Sequence, residues 1–271
     1  MRFVIKAGGR VLEQNLDAIL EDIAKLARNH EIVFVHGGGD IVTKYSKAMG
    51  VEPKFVVSPS GIRSRYTDER EIEIYTMVMA GLLNKRIVAK LQHIGVKSVG
   101  FSGVDGAILL AKRKKHIIVV DERGRKRLIP GGYTGKIVKV NNELIDLLLK
   151  KGFTVVISPL ALGEEGELLN VDGDHVASKI AITLKADILI FLTDVEGVFI
   201  DGKLVEEITV DNSKELELLS KIGVGMNRKV MHAIEAVRSG VGQAIIGLGL
   251  GSNPIKRILE GSVKATHIVR G

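Results

Sequence analysis

Three glycine-rich loops contain residue types that suit the binding of phosphate groups. They are Lys6-Ala-Gly8-Gly9-Arg10, His36-Gly37-Gly38-Gly39-Asp40 and Gly223-Val-Gly225-Met-Asn-Arg-Lys229, each predicted to follow an apolar strand. Glycine lets backbone N–H groups approach a ligand closely and point towards an anion. Two of the loops are predicted to open helices, whose N-termini also favour anions. A single Gly-Gly pair is more typical of a tight strand-to-helix turn, but three such loops together, two of them with a lysine, favour a phosphate site.

Two acidic segments are further candidates. Asn170-Val-Asp172-Gly-Asp174 runs directly into a predicted helix, and Thr193-Asp194-Val-Glu196-Gly197 ends a predicted strand. Taken alone, Asp174 is more typical of a helix cap and Asp194 of a plain turn. Likewise, His36 is more typical of a residue that orients its loop than of a catalyst. The residues by themselves leave these alternatives open.

Motifs for several other chemistries are absent. The chain has no cysteine, which excludes disulfides, thiolate metal sites and a cysteine nucleophile. The segment Pro130–Ile137 ends like a phosphate-binding P-loop but has proline for the first glycine and isoleucine for the required Ser or Thr. No GxGxxG follows the first strand, the histidines show no zinc spacing, and Asp172–Asp174 lacks the other oxygens of an EF-hand. We therefore predict no metal site built by the protein alone.

The positive charge of the chain is concentrated in one segment. The formal net charge is +7, and Lys112–Arg127 holds eight basic residues against two acidic ones, which accounts for six of those charges. Within it, strands at Ile117–Val120 and Arg127–Ile129 are predicted to form a hairpin around Asp121–Gly124. Such a patch could bind an acidic partner, or it could be a solvated edge protected by lysine and arginine. Composition does not separate these two interpretations.

Short apolar strands alternate with helical patterns along the rest of the chain. The predicted strands are Phe3–Lys6, Ile32–Val35, Val96–Phe101, Thr154–Ser158, Ile188–Leu192 and Gln243–Ile246. The predicted helices are Leu12–Arg28, one ending near Ala48, Glu69–His93, Asn142–Lys150, Asp174–Thr183, Ser213–Lys221 and Asn227–Ser239, and a small hairpin is predicted at Asp201-Gly202. The alternation predicts an α/β fold with a mostly parallel sheet covered on both faces. Ligands of such sheets bind at the carboxyl ends of the strands, where the glycine loops lie.

Composition places the chain among ordinary globular proteins. It has 271 residues, of which 45% are hydrophobic and 26% charged. No apolar run approaches the roughly 18 residues of a membrane span, and the start of the chain does not resemble a signal peptide. We therefore expect a cytoplasmic location and no membrane partner.

Taken together, ordered motifs along nearly the whole chain resemble the amino-acid kinase family, and its N-acetylglutamate kinases in particular. The matching elements are Lys6-x-Gly8-Gly9, the His36–Gly39 loop, Gly61-Ile62-Arg63 before Thr67-Asp68, Asn170-x-Asp-x-Asp174, Thr193-Asp194-Val-x-Gly197, and Gly225-Met226 before Lys229. The resemblance implies phosphoryl transfer from ATP to a carboxylate on a three-layer α/β/α sandwich. It also implies one domain over residues 1–271, with an amino-acid lobe at about 1–165 and a nucleotide lobe at about 166–271, and a homodimer.

Departures from the N-acetylglutamate kinase pattern indicate the acceptor. The chain has Arg63-Ser-Arg65-Tyr-Thr67 in place of a short Arg-Val-Thr stretch, Arg10 in place of a small residue, and Asp172 where Asn is usual. With the basic hairpin, these features resemble kinases that phosphorylate aminoadipate or glutamate attached to a small acidic amino-group carrier protein. On that resemblance Lys114, Arg125 and Arg127 would dock the carrier. The acyl phosphate would serve lysine or arginine biosynthesis.

The resemblance also assigns roles to the transfer residues. Lys6 and Lys229 would contact the transferring phosphoryl group from opposite lobes, with Asp174 between them. Gly38 and Gly39 would donate N–H groups to the acceptor carboxylate.

Further roles concern the two substrates. Arg63 would clamp the second carboxylate of the acceptor, and Asn170 would hydrogen-bond its blocked amino group. The nucleotide would contact the loops that contain Gly8, Gly9, Thr193, Asp194 and Gly225, and Mg²⁺ is expected on the ATP phosphates. Two other functions stay open: a kinase for free N-acetylglutamate, and a nucleic-acid-binding or regulatory module. The low aromatic content, 4%, disfavours nucleic acid as a partner.

Overall fold

The structure is a computed structural model, and it describes residues 1–210 and 215–271. Its strands are β1 Arg2–Ala7, β2 Glu31–His36, β3 Lys54–Val57, β4 Arg63–Tyr66, β5 Ser98–Ser102, β6 Leu109–Arg113, β7 His116–Val120, β8 Lys126–Pro130, β9 Gly135–Val140, β10 Thr154–Ser158, β11 Leu160–Gly163, β12 Leu168–Asn170, β13 Ile188–Thr193, β14 Val198–Ile200, β15 Lys203–Val205, β16 Glu207–Val210, β17 Gln243–Leu248 and β18 Ala265–Arg270.

The helices are α1 Gly9–Leu26, α2 Gly39–Ala48, α3 Glu69–Thr76, α4 Asn84–His93, α5 Glu143–Lys150, α6 Gly173–Leu184, α7 Glu215–Lys221, α8 Met226–Arg238 and α9 Pro254–Leu259. Each predicted helix has a counterpart in the described residues, and α9 is present in addition. None of the helices in the described ranges is long and apolar enough to cross a membrane.

Eight strands form the central sheet, in the order β16-β18-β17-β13-β1-β2-β10-β5. Each neighbouring pair is parallel except β17 and β18, so the predicted mostly parallel sheet is confirmed. Because β13, β1 and β2 lie side by side and run in the same direction, their carboxyl ends lie at one edge. That edge receives the first two glycine loops and the Thr193-Asp194 turn.

Alternation of side chains along the strands produces a core on each face of the sheet. In β1, Val4 lies in one buried cluster, whereas Phe3 and Ile5 lie in the other. The first cluster includes apolar residues of α5, α6 and α8, and the second includes those of α1, α4 and α9. A strand buried on both faces needs apolar residues throughout, as the sequence predicted. The result is the expected three-layer α/β/α sandwich.

Smaller sheets extend the molecule beyond the carboxyl edge of the central sheet. Strands β12, β11, β6 and β9 form a four-stranded sheet, and β3–β4, β7–β8 and β14–β15 form two-stranded ones. The hairpins predicted around Asp121–Gly124 and Asp201-Gly202 are therefore confirmed. The β3–β4 hairpin was not predicted, since Arg63–Tyr66 has no apolar alternation.

Two expectations from the sequence need correction, and a third can be compared with the structure only in part. The helix predicted over Glu69–His93 contains a π-helical segment, Met77–Leu83, between α3 and α4. The third glycine loop follows helix α7 and not a strand, and all three glycine loops open helices. Of the helix predicted at Ser213–Lys221, the structure shows Glu215–Lys221, and its first two residues lie outside the described ranges.

Candidate functional site

A carboxylate bridges two lysines at the carboxyl edge of the central sheet. Lys6 is the penultimate residue of β1, Asp174 lies in the first turn of α6, and Lys229 lies in the first turn of α8. The Lys6 Nζ atom is 2.7 Å from Asp174 Oδ1, and the Lys229 Nζ atom is 2.8 Å from Asp174 Oδ2. The structure therefore places Asp174 between the two lysines, in the arrangement that the resemblance implied.

The bridge brings two basic groups and a carboxylate together in a poorly solvated place. Burial by itself would raise the pKa of Asp174, but the charges of Lys6 and Lys229 outweigh it and hold that pKa far below its usual range. Burial lowers the pKa of Lys229, and the nearby charge of Lys6 lowers it further, against the opposing effect of Asp174. An anion placed beside the lysines would interact with two positive charges and one negative charge.

The first two glycine loops pack against each other through their backbones. A Cβ atom added at Gly9 would lie 3.2 Å from Gly38 Cα, and one at Gly37 would lie 3.0 Å from Gly9 N. A Cβ atom at Gly38 would collide with Leu83, at 2.3 Å from Cδ1. Leu83 belongs to the π-helical segment, a type of structure that is frequent at functional sites. Larger residues in either loop would separate the N-termini of α1 and α2.

His36 supports the second loop from beneath. Its ring is fully buried, with Nδ1 3.1 Å from Gly37 O and Nε2 3.4 Å from Asn84 Nδ2. Burial lowers its pKa to about 4, so the imidazole is neutral near pH 7. These contacts match the interpretation of His36 as a residue that orients its loop.

A cavity of about 230 Å³ opens between the first glycine loop and the end of β13. Its lining includes Lys6, Gly8, Gly9, Thr193, Asp194 and Lys229. Asp194 accepts a hydrogen bond from Thr193 and lies 3.3 Å from Arg10 Nη1. Gly225 does not line this cavity, but it precedes α8 with a φ of +95°, a conformation that favours glycine. A larger cavity, of about 640 Å³, opens around Arg2 and Lys185 and contains none of the predicted site residues.

Asn170 connects the site to the loop that precedes β9. Its side-chain amide donates to Thr67 Oγ1 at 2.9 Å, and its backbone N–H donates to Tyr133 O at 2.9 Å. Thr134 and Asn170 form an isolated parallel bridge. Asn170 therefore lies where α3, β12 and this loop meet, four residues before Asp174.

The two arginines of β4 have different surroundings. Arg63 is exposed, with its guanidinium 3.9 Å from the centre of the Phe55 ring. Arg65 is almost fully buried, forms an ion pair with Glu71 and donates to Gly39 O at 2.7 Å. The structure thus brings Arg65, rather than Arg63, into contact with the second glycine loop. Arg65 was not predicted as a site residue, because the spacing i, i+2 puts both arginines on one strand face and does not indicate which one reaches α2.

The three residues predicted to dock the carrier do not form one group. Arg125 and Arg127 lie at the tip of the β7–β8 hairpin, and both Nε atoms contact Asp121, at 3.1 and 2.8 Å. Hydrogen bonds to its carboxylate, of which that from Arg127 has the largest effect, lower the pKa of Asp121 to about 2. Lys114 precedes the base of the hairpin, and its backbone N–H donates to Thr134 O at 2.9 Å. Lys114 therefore lies near Asn170.

Known proteins resemble this chain over nearly its whole length. A family model described as the amino acid kinase family matches residues 1–247. A protein of Saccharolobus islandicus named LysW-aminoadipate/LysW-glutamate kinase is 50% identical over 269 residues, which is 99% of both chains. A protein of the same name from Sulfolobus acidocaldarius is 51% identical over 259 residues, 95% of this chain and 97% of the relative.

Solved structures extend the likeness to the fold. Carbamate kinase from Giardia lamblia bound to AMP-PNP superposes with a TM-score of 0.72, covering 100% of this chain and 98% of that one, at 17% identity. At that identity the likeness concerns the fold alone. The match to the family model covers far more than half of the sequence and includes all three glycine loops, Asp174 and Lys229. The chain therefore belongs to the amino acid kinase family.

Proposed function

We propose that this protein transfers a phosphoryl group from ATP to the side-chain carboxylate of aminoadipate or glutamate attached to a small acidic carrier protein. The observation that carries the proposal is the bridge from Lys6 through Asp174 to Lys229, which lies between two glycine loops. Relatives that share half of the sequence are named for a LysW-linked acceptor. The product would be an acyl phosphate for lysine or arginine biosynthesis.

The chemistry of the reaction fits a site without a general base. A carboxylic acid has a pKa near 4.3, so the acceptor is already an anion at neutral pH. One of its oxygens forms a bond to the γ-phosphorus of ATP while the bond from that phosphorus to the bridging oxygen breaks. ADP leaves with the electron pair, and no proton has to be moved. The barrier comes from bringing two anions together, so catalysis requires positioning and positive charge.

The residues of the bridge would supply that charge. Lys6 and Lys229 would contact the oxygens of the transferring phosphoryl group, and Asp174 would hold both ammonium groups in position before substrates bind. Gly38 and Gly39 would direct N–H groups of the second loop towards the acceptor carboxylate. Asn170 would hydrogen-bond the amide that blocks the acceptor's amino group.

The nucleotide would bind along the cavity that includes Gly8, Gly9, Thr193 and Asp194, with Gly225 shaping the loop before Lys229. Mg²⁺ would bind mainly to phosphate oxygens of ATP and would neutralise part of their charge. Asp174 would contribute little to binding the metal, because both of its carboxylate oxygens already contact lysines. In the ranges that the structure describes, no group of three His, Asp or Glu residues could hold a metal by itself.

We also propose the division into an amino-acid lobe, about residues 1–165, and a nucleotide lobe, about residues 166–271. In the central sheet these parts meet where β1 pairs with β13. The bridge crosses the same boundary, because Lys6 lies on one side and Asp174 and Lys229 lie on the other. A homodimer in the cytoplasm completes the proposal.

The acceptor is tested by measuring ADP formation with four substrates: carrier-linked aminoadipate, carrier-linked glutamate, free N-acetylglutamate and no acceptor. We expect kcat/KM for a carrier-linked substrate to exceed that for N-acetylglutamate. The reverse order would make the protein an N-acetylglutamate kinase. Absence of ADP formation with every acceptor, together with binding to DNA or RNA that weakens steeply with salt, would favour the nucleic-acid alternative.

The two lysines should act mainly on the transition state. Lys6→Ala or Lys229→Ala is expected to lower kcat by about 10²–10³-fold with a modest change in KM, since each removes charge stabilisation of the transferring group. Lys264→Ala is a matched control, because that lysine pairs with Glu206 at the surface. Near wild-type kcat in either site variant, with an unchanged melting temperature, would refute its catalytic role.

Arg63 is proposed to clamp the second carboxylate of the acceptor. The donors of Arg65 are occupied by Glu71, Thr43 and Gly39, whereas no hydrogen bond from the Arg63 guanidinium is found in the described residues. Arg63→Met should therefore raise KM for the acceptor by about 10-fold or more with a smaller change in kcat, as expected for a charge-assisted pair. Arg65→Met is the comparison. A KM increase confined to Arg65→Met would assign the clamp to Arg65.

Docking of an acidic carrier is proposed for the hairpin tip. Reversal of Arg125 and Arg127 to Glu should raise KM for carrier-linked substrate, most strongly at low salt, because exposed charges act mainly on association and are screened by salt. The kcat value should stay nearly constant, and so should turnover of a short acceptor that lacks the body of the carrier. Replacement of both residues by Gln should give a smaller effect in the same direction. Equal losses with the carrier and the short acceptor would contradict docking.

A further inference from the structure

Three basic side chains, Lys114, Lys136 and Arg228, lie in the neighbourhood of Asp172, next to the proposed acceptor site. Arg228 Nη2 contacts Asp172 Oδ2 at 2.8 Å. Lys114 follows β6, and Lys136 lies in the partner strand β9. Desolvation lowers the pKa of Lys114, and the charges of Arg228 and Lys136 lower it further, against the opposing effect of Asp172. Arg228, Asp172 and Lys136 are therefore each close enough to Lys114 to affect its pKa.

The positive charge of this group, which we call the Asp172 cluster, exceeds what its carboxylate can balance. Asp172 Oδ1 accepts the N–H of His175 at 2.9 Å as the cap of α6, and Oδ2 accepts from Arg228. Neither Lys114 nor Lys136 forms an ion pair with any residue of the described ranges. Lys114 therefore lies near two further positive charges, those of Arg228 and Lys136, and near one carboxylate, that of Asp172. Such a cluster is suited to an additional anionic group.

The chain positions the cluster directly beside Asn170. Asp172 lies midway in sequence between Asn170 and Asp174. Lys114 donates its N–H to Thr134 O, and Thr134 in turn bridges to Asn170. Gly131 packs so closely on Lys114 that a Cβ atom there would lie 1.7 Å from Lys114 O. The backbone of Lys114 is therefore fixed relative to Asn170, because each of them is hydrogen-bonded or bridged to Thr134.

An acceptor bound as proposed would extend towards this cluster. Its reacting carboxylate would lie at the bridge of Lys6 and Lys229, and the amide on its amino nitrogen would lie at Asn170. Whatever the amide carries then continues past Asn170, where Asp172 and its cations lie. In N-acetylglutamate that group is an uncharged methyl, which gives the three cations no partner. An acceptor linked to an acidic carrier can place a carboxylate there.

We propose that Lys114, Lys136 and Arg228 bind a carboxylate that the acceptor carries beyond its amide linkage, on the carrier side. This inference rests on the proposed function and adds a specificity-determining contact to it. The proposal gives Lys114 a different role from Arg125 and Arg127. Lys114 binds the segment of the carrier that bears the acceptor, whereas the hairpin tip contacts the body of the carrier. The cluster distinguishes a linked acceptor from a free N-acetyl amino acid.

The test uses two short acceptors that differ in one group. In both, the amino group of aminoadipate is joined to the side-chain carboxyl of an N-acetylated glutamate; in one the α-carboxylate of that glutamate is free, and in the other it is a primary amide. Wild-type protein should phosphorylate the free acid with a kcat/KM about 10- to 100-fold higher, the range that corresponds to one charge-assisted hydrogen bond. The difference should lie in KM.

The single variants Lys114→Gln and Lys136→Gln test whether the Asp172 cluster causes the preference for the free acid. Each should reduce the ratio between the free acid and the amide several-fold, mainly by raising KM for the free acid, while kcat/KM for the amide changes little. Lys126→Gln is the matched control, because Lys126 is exposed in the same basic segment but lies in β8, away from Asn170. Its ratio should equal that of the wild type. Two variants at separate positions protect the test from a local folding defect in either one.

Three outcomes would overturn the inference. Equal kcat/KM for the two acceptors in the wild type would show that no carboxylate is recognised there. A wild-type ratio retained in both Lys114→Gln and Lys136→Gln would place the recognition elsewhere. In both cases activity on amide-linked acceptors would leave the proposed function intact. Activity on N-acetylglutamate alone, with none on either linked acceptor or the carrier-linked substrate, would overturn the proposed function together with this inference.

Discussion

Two like charges must be held side by side for this site to exist. Without a carboxylate between them, the ammonium groups of Lys6 and Lys229 would repel each other and favour loss of a proton in a poorly solvated place. Asp174 removes that repulsion by offering one oxygen to each lysine. Since the three residues come from β1, α6 and α8, the relative positions of these elements must keep both contacts within ion-pair distance. Much of the surrounding fold can be understood as the means of meeting that constraint.

The helices α6 and α8 are tied together directly behind the bridge. Ser178 Oγ donates to His232 O at 2.9 Å, and the rings of His175 and His232 stack with centroids 4.9 Å apart. His175 adjoins Asp174, and His232 lies one turn after Lys229, so each contact fixes the turn that bears a charged residue. Burial lowers the pKa of His175, and the nearby His232 lowers it further, to about 4. The His175 ring is therefore uncharged near pH 7. A neutral stack adds no further positive charge to the site.

How far the sequence predicts this arrangement depends on how locally each feature is determined. The strands of the central sheet are short apolar runs between glycine breaks, and their alternation was sufficient to predict the layers and the edge that holds the loops. Lys6, Asp174 and Lys229 could be selected because they fall in motifs that occur in order along the chain. The contact of Arg65 with Gly39 depends on how the β3–β4 hairpin packs on α2, between residues 26 positions apart. No local pattern carries that information, and the close packing of Leu83, in the π-helical segment, on Gly38 is likewise a contact between residues far apart in sequence.

Charge density in the sequence was a weaker guide than position in the structure. The segment Lys112–Arg127 reads as one basic patch, yet its members have separate surroundings. Arg113 stacks over Tyr133 at 4.1 Å and donates to Gly132 O, so it supports the loop that contacts Asn170. Lys114 interacts electrostatically with Asp172. Arg125 and Arg127 both contact Asp121, whose negative charge offsets part of theirs. Lys114, at the base of the hairpin, forms no ion pair within the described residues, whereas Arg125 and Arg127 at its tip are held by Asp121, so the two parts of the segment would meet an anion in different ways.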